Sequence, residues 1–497
     1  MHEHGAPEKL GKVSFPVSCV PAVQEQFNRG VALLHSFAYA PADETFHHVA
    51  EMDPKCAMAY WGMAMTHFHQ LWEPPLVPAM VATGRKEIAR AEKIGPGTER
   101  ERGFIHALGL VYQDADTVPY RTRALHYEKV LGELARANSK DVEAQVFYAL
   151  ALLANASPGD KTHARQKQAD AVLEPLDREY PEHPGIPHYL IHADDNAELA
   201  AKGLSAARAY SGIAPSAPHA LHMPSHIFTR LGLWDDSIAS NLAAKEAAAR
   251  QGDTGEELHA MDYLVYAYLQ SGRDGEAAGV LEQLKTMSKL NPGEFKIGYA
   301  ATAMPIRYAV ERGKWADAAA IVAPVGAAPQ VVAIAVWARG LALARALDEL
   351  KSKPELDAGD FKVGYAATAA AMAMPIRYAV ERLAQLEAQL HAEGNQYWAT
   401  QTGILKREVM AWSAEANGRP DEAVALMRAA ADEEDAVEKL PVTPGPIVPA
   451  REQLGSLLLE QNRAGAAMKE FEVALGNAPG RRGALQGVAR AAEVAKK

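Results

Sequence analysis

Six histidines and two aspartates occupy eight of twelve positions on one strip of three consecutive helical segments, "HYLIHADD" from His188, "HALHMPSHIFTRLGLWDD" from His219 and "HAMDYLVYAYLQSG" from His259. Imidazole and carboxylate together form the donor set of a borderline transition-metal ion. His188 with His192, and His222 with His226, are spaced i, i+4, about 40° apart around a helix and one turn along it, so both rings of a pair can reach one ion. First helices of neighbouring repeats pack about 8–10 Å apart, which lets pairs on adjacent helices complete one site. Asp195 and Asp262 would join as ligands or orient an imidazole from behind. The expected metal-binding set is therefore His188, His192, His222, His226, Asp195 and Asp262. If the site is catalytic, His219 and His259 supply proton transfer, since imidazole titrates near neutrality, while Tyr266 and Arg307 orient a substrate.

The strip exists only if repeated helical hairpins position it, and the repeats are legible without the histidines. Pro181 and Pro215 are 34 residues apart and bound one repeat, with further repeats starting near residues 218 and 258. Positions 2, 5, 9 and 12 of each first helix share a face. They read Gly185, His188, His192, Asp195; His219, His222, His226, Thr229; and His259, Asp262, Tyr266, Leu269. Near the C-terminus Leu454, Gly455, Ala467, Phe471, Ala474 and Pro479 have tetratricopeptide spacing, as do Gly30, Ala42, Phe46 and Pro54 near the start. Small residues let two helices approach, the aromatic fills the space beneath, and proline stops the second helix. Pro224 lacks a backbone N–H and predicts a kink of the helix between His222 and His226. A near-verbatim copy, "FKIGYAATAMPIRYAVER" from Phe295 and "FKVGYAATAAAMAMPIRYAVER" from Phe361, predicts a distortion between about 345 and 385.

The fold class that follows is all-α, a tetratricopeptide-like solenoid of antiparallel hairpins forming a concave groove. Its expected organisation is an extended arm over 1–20 and one solenoid over 21–497. Within the solenoid, 21–97 are N-terminal hairpins, 98–183 irregular hairpins and 184–290 the His-rich repeats. The duplicated segment and further hairpins fill 291–440, and a proline-rich loop and a last repeat fill 441–497. A net charge of −11 without a basic stripe argues against nucleic acid. No apolar run approaches the ~18 residues of a membrane span. Cys19 and Cys56 are too few for a zinc ribbon or iron–sulfur cluster, and are equally compatible with a disulfide or two buried thiols. Nucleotide-loop, nucleophile-elbow, HExxH and dinucleotide motifs are absent. Weaker candidates are the N-terminal "HEH", the crowd of His35, His47, His48, His67 and His69, the "QLWEPP" loop after it, and Glu452 beside the "PVTPGPIVPA" loop.

The stretches "RGVALLHSF", "CAMAYWGMAM", "PHALHMPSHIFTRLGLW" and "VTPGPIVPAREQLGSLLLE" resemble a large group of bacterial tetratricopeptide repeat proteins. The likeness covers most of the chain outside the duplicated segment and implies the solenoid fold. It also implies export, with the chain as a mature periplasmic or secreted form; without a removed leader it would be cytoplasmic. It implies no particular reaction. The functional expectation is a His-rich solenoid that binds Cu, Zn or Fe and takes a small molecule or peptide in its groove, as an oxidoreductase or hydrolase if it is an enzyme. The alternatives are a non-catalytic peptide-binding scaffold and a metal storage or delivery protein.

Overall fold

The computed structural model describes residues 7–71, 76–351 and 361–496. The "HEH" motif and residues 72–75 of the "QLWEPP" loop lie outside them. Among the described residues the regular structure is entirely helical, in two compact units, Met1–Phe228 and Thr229–Lys497. Each unit is a run of antiparallel helical hairpins of the tetratricopeptide kind.

In the first unit the hairpins pair Gln24–His35 with Tyr39–Met52, Ala57–Thr66 with Pro78–Ile94, and Glu99–Tyr112 with Tyr120–Ala137. Val142–Ala154 with Ala164–Glu179 and Gly185–Asp194 with Leu204–Ile213 follow, and then the short helices Pro218–His222 and Pro224–Arg230. The small-residue rule takes a concrete form here. Phe46 lies between Gly30 of its own hairpin and Gly62 of the next, where an added Cβ would stand 2.7 and 2.4 Å from its ring. A methyl at either glycine would have to displace the aromatic that joins one repeat to its neighbour.

The segment expected as an extended arm is extended but not detached. Phe15 is fully buried, and its ring centroid is 5.0–5.4 Å from those of Phe27, Trp61 and Phe104. The arm is fastened again by a disulfide between Cys19 and Cys56, which decides between the two readings of the cysteines. The bridge closes a loop of sequence separation 37, for which chain entropy gives about 4 kcal/mol of stabilisation. Cys56→Ser is therefore expected to lower the unfolding free energy of the first unit by a comparable amount and its denaturation midpoint with it. An unchanged midpoint in reduced and oxidised protein would contradict this.

In the second unit Trp234–Gln251 precedes Thr254–Gln270 with Asp274–Thr286, Phe295–Glu311 with Trp315–Ala320, and the long helices Pro329–Lys351 and Phe361–Ala392. Gln396–Ala416 with Pro420–Asp435, Ala450–Glu460 with Ala464–Asn477, and Arg482–Val494 complete it. The glycine–aromatic device recurs, with Phe471 against Gly455 and Gly487.

One helix comes near the composition of a membrane span. The stretch Pro329–Glu349, with mean hydropathy 1.4, is long and apolar enough to cross a membrane by length and composition. Its apolarity has a different use: 67 % of it is buried within the fold, with Trp337 and Leu341 in the core of the second unit. The duplicated segment shows how context decides burial. In the first copy Met304 and Arg307 are fully buried, whereas their counterparts Met374 and Arg377 in the second are 76 % and 82 % exposed. The second copy is part of one uninterrupted helix of 32 residues, so the expected distortion takes the form of an over-long helix; residues 352–360 lie outside the described part.

Candidate metal centre

The first unit brings five of the sequence-selected histidines into a closed circuit. Successive ring centroids are 4.8 Å apart for His192–His188, 5.0 Å for His188–His219, 6.1 Å for His219–His222, 5.0 Å for His222–His226 and 6.1 Å for His226–His192. Helix Gly185–Asp194 supplies His188 and His192 one turn apart. Helix Pro218–His222 supplies the next two; where a kink at Pro224 is expected the helix ends outright, so that His226 arrives on a separate short helix. The break lets His222 and His226 face each other, Nε2 to Nε2 at 3.0 Å; His188 and His192 do the same at 3.1 Å. Two nitrogens held ~2.0–2.1 Å from one tetrahedral ion would be about 3.4 Å apart, close to both separations. Ligand nitrogens of His188, His192 and His219 all lie within 4.8 Å of one another.

Which ring nitrogen carries the proton follows from what stands behind it. His188 Nδ1 lies 2.5 Å from the His35 carbonyl oxygen, which can only accept. The Nδ1–H donates there, leaving a lone pair on Nε2. His226 Nδ1 is likewise 2.9 Å from Asp195 Oδ2, an acceptor when ionised, which again directs the Nε2 lone pair into the circuit. Burial, then neighbouring His192 and His219, push His188 well below the usual histidine pKa. It is therefore neutral at pH 7, the form in which imidazole ligates. His188, His222 and His226 are fully buried, and His192 is half-buried.

The wall behind the circuit is built by the end of helix Gln24–His35. The last carbonyls of a helix are unsatisfied and carry partial negative charge, so the His35 carbonyl both locks His188 and favours a cation beyond it. Gly185 makes this approach possible, because a Cβ there would stand 2.7 Å from His35 Nδ1. Two residues later Phe37 adopts a left-handed conformation, φ 52°, a strain of about 1–2 kcal/mol. That conformation places its ring centroid 4.5 Å from His188, 5.7 Å from His192 and 5.3 Å from His219. Strained residues are held where surrounding structure over-determines them, commonly at functional sites.

A second buried group, His35, Glu143 and His183, also has metal-ligand composition, and tautomer logic gives it another role. The Gly185 backbone N–H donates to His183 Nδ1 at 3.2 Å. The His183 proton is therefore on Nε2, 3.0 Å from Glu143 Oε1, where it donates to the carboxylate. His35 Nε2 meets the other oxygen at 2.8 Å, and His35 Nδ1 meets the Tyr189 hydroxyl at 3.0 Å. Burial alone would raise the Glu143 pKa, but His183 and His35 outweigh it and hold the carboxyl at about 2. The group is a hydrogen-bonded support that fixes His35, and through its carbonyl His188.

No protein-family model matches the sequence, and no curated protein matches it. Among solved structures, human IFIT1 as a dimer with m7Gppp-AAAA overlaps at a TM-score of 0.41, with 12 % identity over 89 % of this chain and 90 % of that one. The APC/C hetero-tetramer Cut9–Hcn1 gives 0.36 with 11 % identity over 94 % and 76 %. Yeast Tom70 gives 0.29 with 11 % identity over 95 % and 88 %. Similarity this slight carries no argument about function.

His259, Asp262, Tyr266 and Arg307 belong to the second unit, the first three on helix Thr254–Gln270 and Arg307 on helix Phe295–Glu311. Asp262 and Arg307 are both buried, with Asp262 Oδ1 3.6 Å from Arg307 Nε. The guanidinium lies 5.0 Å from the Tyr266 ring centroid and donates to the Pro446 carbonyl at 3.0 Å. The proline-rich loop thus packs on this helix pair. Glu452 pairs with the fully buried Arg481 at 2.6 Å, a structural ion pair. Of the weaker histidines, His47 and His48 are exposed and face Asp43 and Glu51. His69 donates from Nε2 to the Thr66 carbonyl and stacks on Tyr39, 4.1 Å between centroids. Glu143 and His183 escaped the sequence reading, although Glu143 carries one available signal, a carboxylate on the apolar stripe of Val146, Phe147 and Leu150.

Proposed function

We propose that the first unit binds a transition-metal ion in the five-histidine circuit, with His188, His192 and His219 as one set of ligands and His222 and His226 extending it. The single observation that carries this is the pair of acceptors behind the rings: the His35 carbonyl and the Asp195 carboxylate direct the Nε2 lone pairs of His188 and His226 inward. All-imidazole ligation suits Cu, Zn or Fe. An ion there would act as a Lewis acid or oxygen activator if the protein is an enzyme. The depth of the site favours a retained ion over delivery, and half-buried His192 offers the way in. The disulfide supports residence in an oxidising compartment, in keeping with export.

Titration of chelator-treated protein with Co(II), followed by its visible ligand-field bands, is expected to saturate at an integral stoichiometry. Bands absent below millimolar Co(II), together with peptide binding indifferent to chelators, would replace the metal reading with the scaffold reading. Asp195→Asn keeps size but withdraws the carboxylate from His226. It is expected to weaken metal binding about 10–100-fold, and unchanged affinity would remove Asp195 from the site.

A further inference from the structure

The duplicated segment puts one sequence in two environments, and the first environment shows what fits the second. The stretch "MPIRYAVE" is helical in both copies, over 304–311 and over 374–381. One side of each copy enters the same apolar core. Ile306 and Ala309 of the first copy, and Ile376 and Leu383 on the helix of the second, share that core with Trp337 and Leu341.

The other side differs between the copies. In the first it is covered by helix Thr254–Gln270, whose Met261 and Val265 share a core with Met304. The same helix sets the Asp262 carboxylate 3.6 Å from the Arg307 guanidinium and the Tyr266 ring beside it. One turn further on, Gln270 donates to Glu311 Oε1 at 3.1 Å. In the second copy the matching residues Met374, Arg377, Tyr378 and Glu381 are all exposed. Met374, Arg377 and Glu381 are spaced i, i+3, i+7 and form one stripe on the helix. Arg377 and Glu381 pair with each other at 2.8 Å, and an exposed pair of this kind is weak enough to yield to a partner that excludes water.

The complement of this stripe is therefore written in the first copy: an acid for the arginine, an aromatic ring for the guanidinium and a carboxamide for the glutamate. Asp262, Tyr266 and Gln270 supply them at i, i+4 and i+8 of one helix. A second folded copy of this chain cannot offer that helix, which is buried from Leu258 to Gln270. We infer that the exposed face of helix Phe361–Ala392 docks an amphipathic helix of another protein, one that carries an acid, an aromatic residue and a carboxamide at successive four-residue intervals beside an apolar stripe. Its acid pairs with Arg377, its aromatic ring lies against the guanidinium, its carboxamide meets Glu381, and Met374 and Tyr378 supply the apolar contact. The face belongs to the second unit and the histidine circuit to the first, so binding here neither needs nor excludes a metal ion.

The test uses the full chain and a fluorescein-labelled synthetic peptide of residues 254–270, read by anisotropy. Saturable binding of one peptide per chain is expected. Arg377→Glu and Met374→Asp change exposed side chains, so both are expected to keep the wild-type melting temperature while weakening the peptide about 10-fold. A peptide carrying Asp262→Lys is expected to bind the wild type weakly and Arg377→Glu with the strength of the original pair, a reversal that a misfolded variant cannot produce. Absence of binding would overturn the inference. Binding indifferent to Arg377→Glu would do so too, because the peptide would then have exchanged into the first copy's place. A dimer in sedimentation that Met374→Asp dissolves would assign the face to a second copy of this chain and overturn it equally.

Discussion

Glutamine in place of Glu143 is expected to destabilise the first unit by about 3 kcal/mol at pH 7. The carboxylate accepts from two imidazole N–H groups in a site without water access, and an amide offers one acceptor oxygen and an NH2 that confronts the other donor. The sign of the pH dependence is fixed by the lowered pKa. A carboxyl at about 2 in the folded chain and about 4.3 unfolded contributes stability that is fully present above the unfolded value and lost as pH falls toward 2. The difference between wild type and Glu143→Gln should therefore grow from pH 2 to about 5 and then stay level. Denaturant melts read by hydrogen exchange in helix Val142–Ala154 would show it. A difference independent of pH would mean that Glu143 is not ionised in the fold.

The second large effect falls on metal affinity. Replacing His188 and His226 by glutamine removes both rings whose lone pairs are directed inward. The loss should exceed the 10–100-fold expected when only a supporting hydrogen bond is removed. Co(II) bands should vanish at concentrations that saturate the wild type. Retention of the bands would place the ion elsewhere. Glu143→Gln offers an internal comparison, since it acts on His188 only through the His35 carbonyl and should weaken the metal less than the double variant does.

Much of this was legible because tetratricopeptide register is written in small residues and prolines. Pro181 and Pro215 fixed the frame in which His188, His192, His219, His222 and His226 fall on one face; a kink at Pro224 was readable from the missing N–H, but not that the helix ends there. The placement of Asp195 behind His226 was open from spacing alone; it follows because helix Gly185–Asp194 ends one residue earlier, turning Asp195 back toward the next repeat. What stayed hidden depends on contacts distant in sequence. Glu143 meets His183 across 40 residues and His35 across 108, and no local period encodes such a meeting. The arm was read as extended from its prolines and glycines, which is right for its backbone and says nothing of Phe15 in the aromatic core. In the same way, the apolar helix Pro329–Lys351 was not anticipated as long enough to resemble a membrane span, because Arg339 interrupts its apolar run near the middle.

The most direct measurement is the metal content of untagged, full-length protein purified without added metal or chelator, compared with His188→Gln/His226→Gln. Near-stoichiometric Cu, Zn or Fe in the wild type and its loss in the folded variant is the predicted result. Wild-type protein free of metal, with affinity for Co(II) no greater than that of the variant, would contradict it.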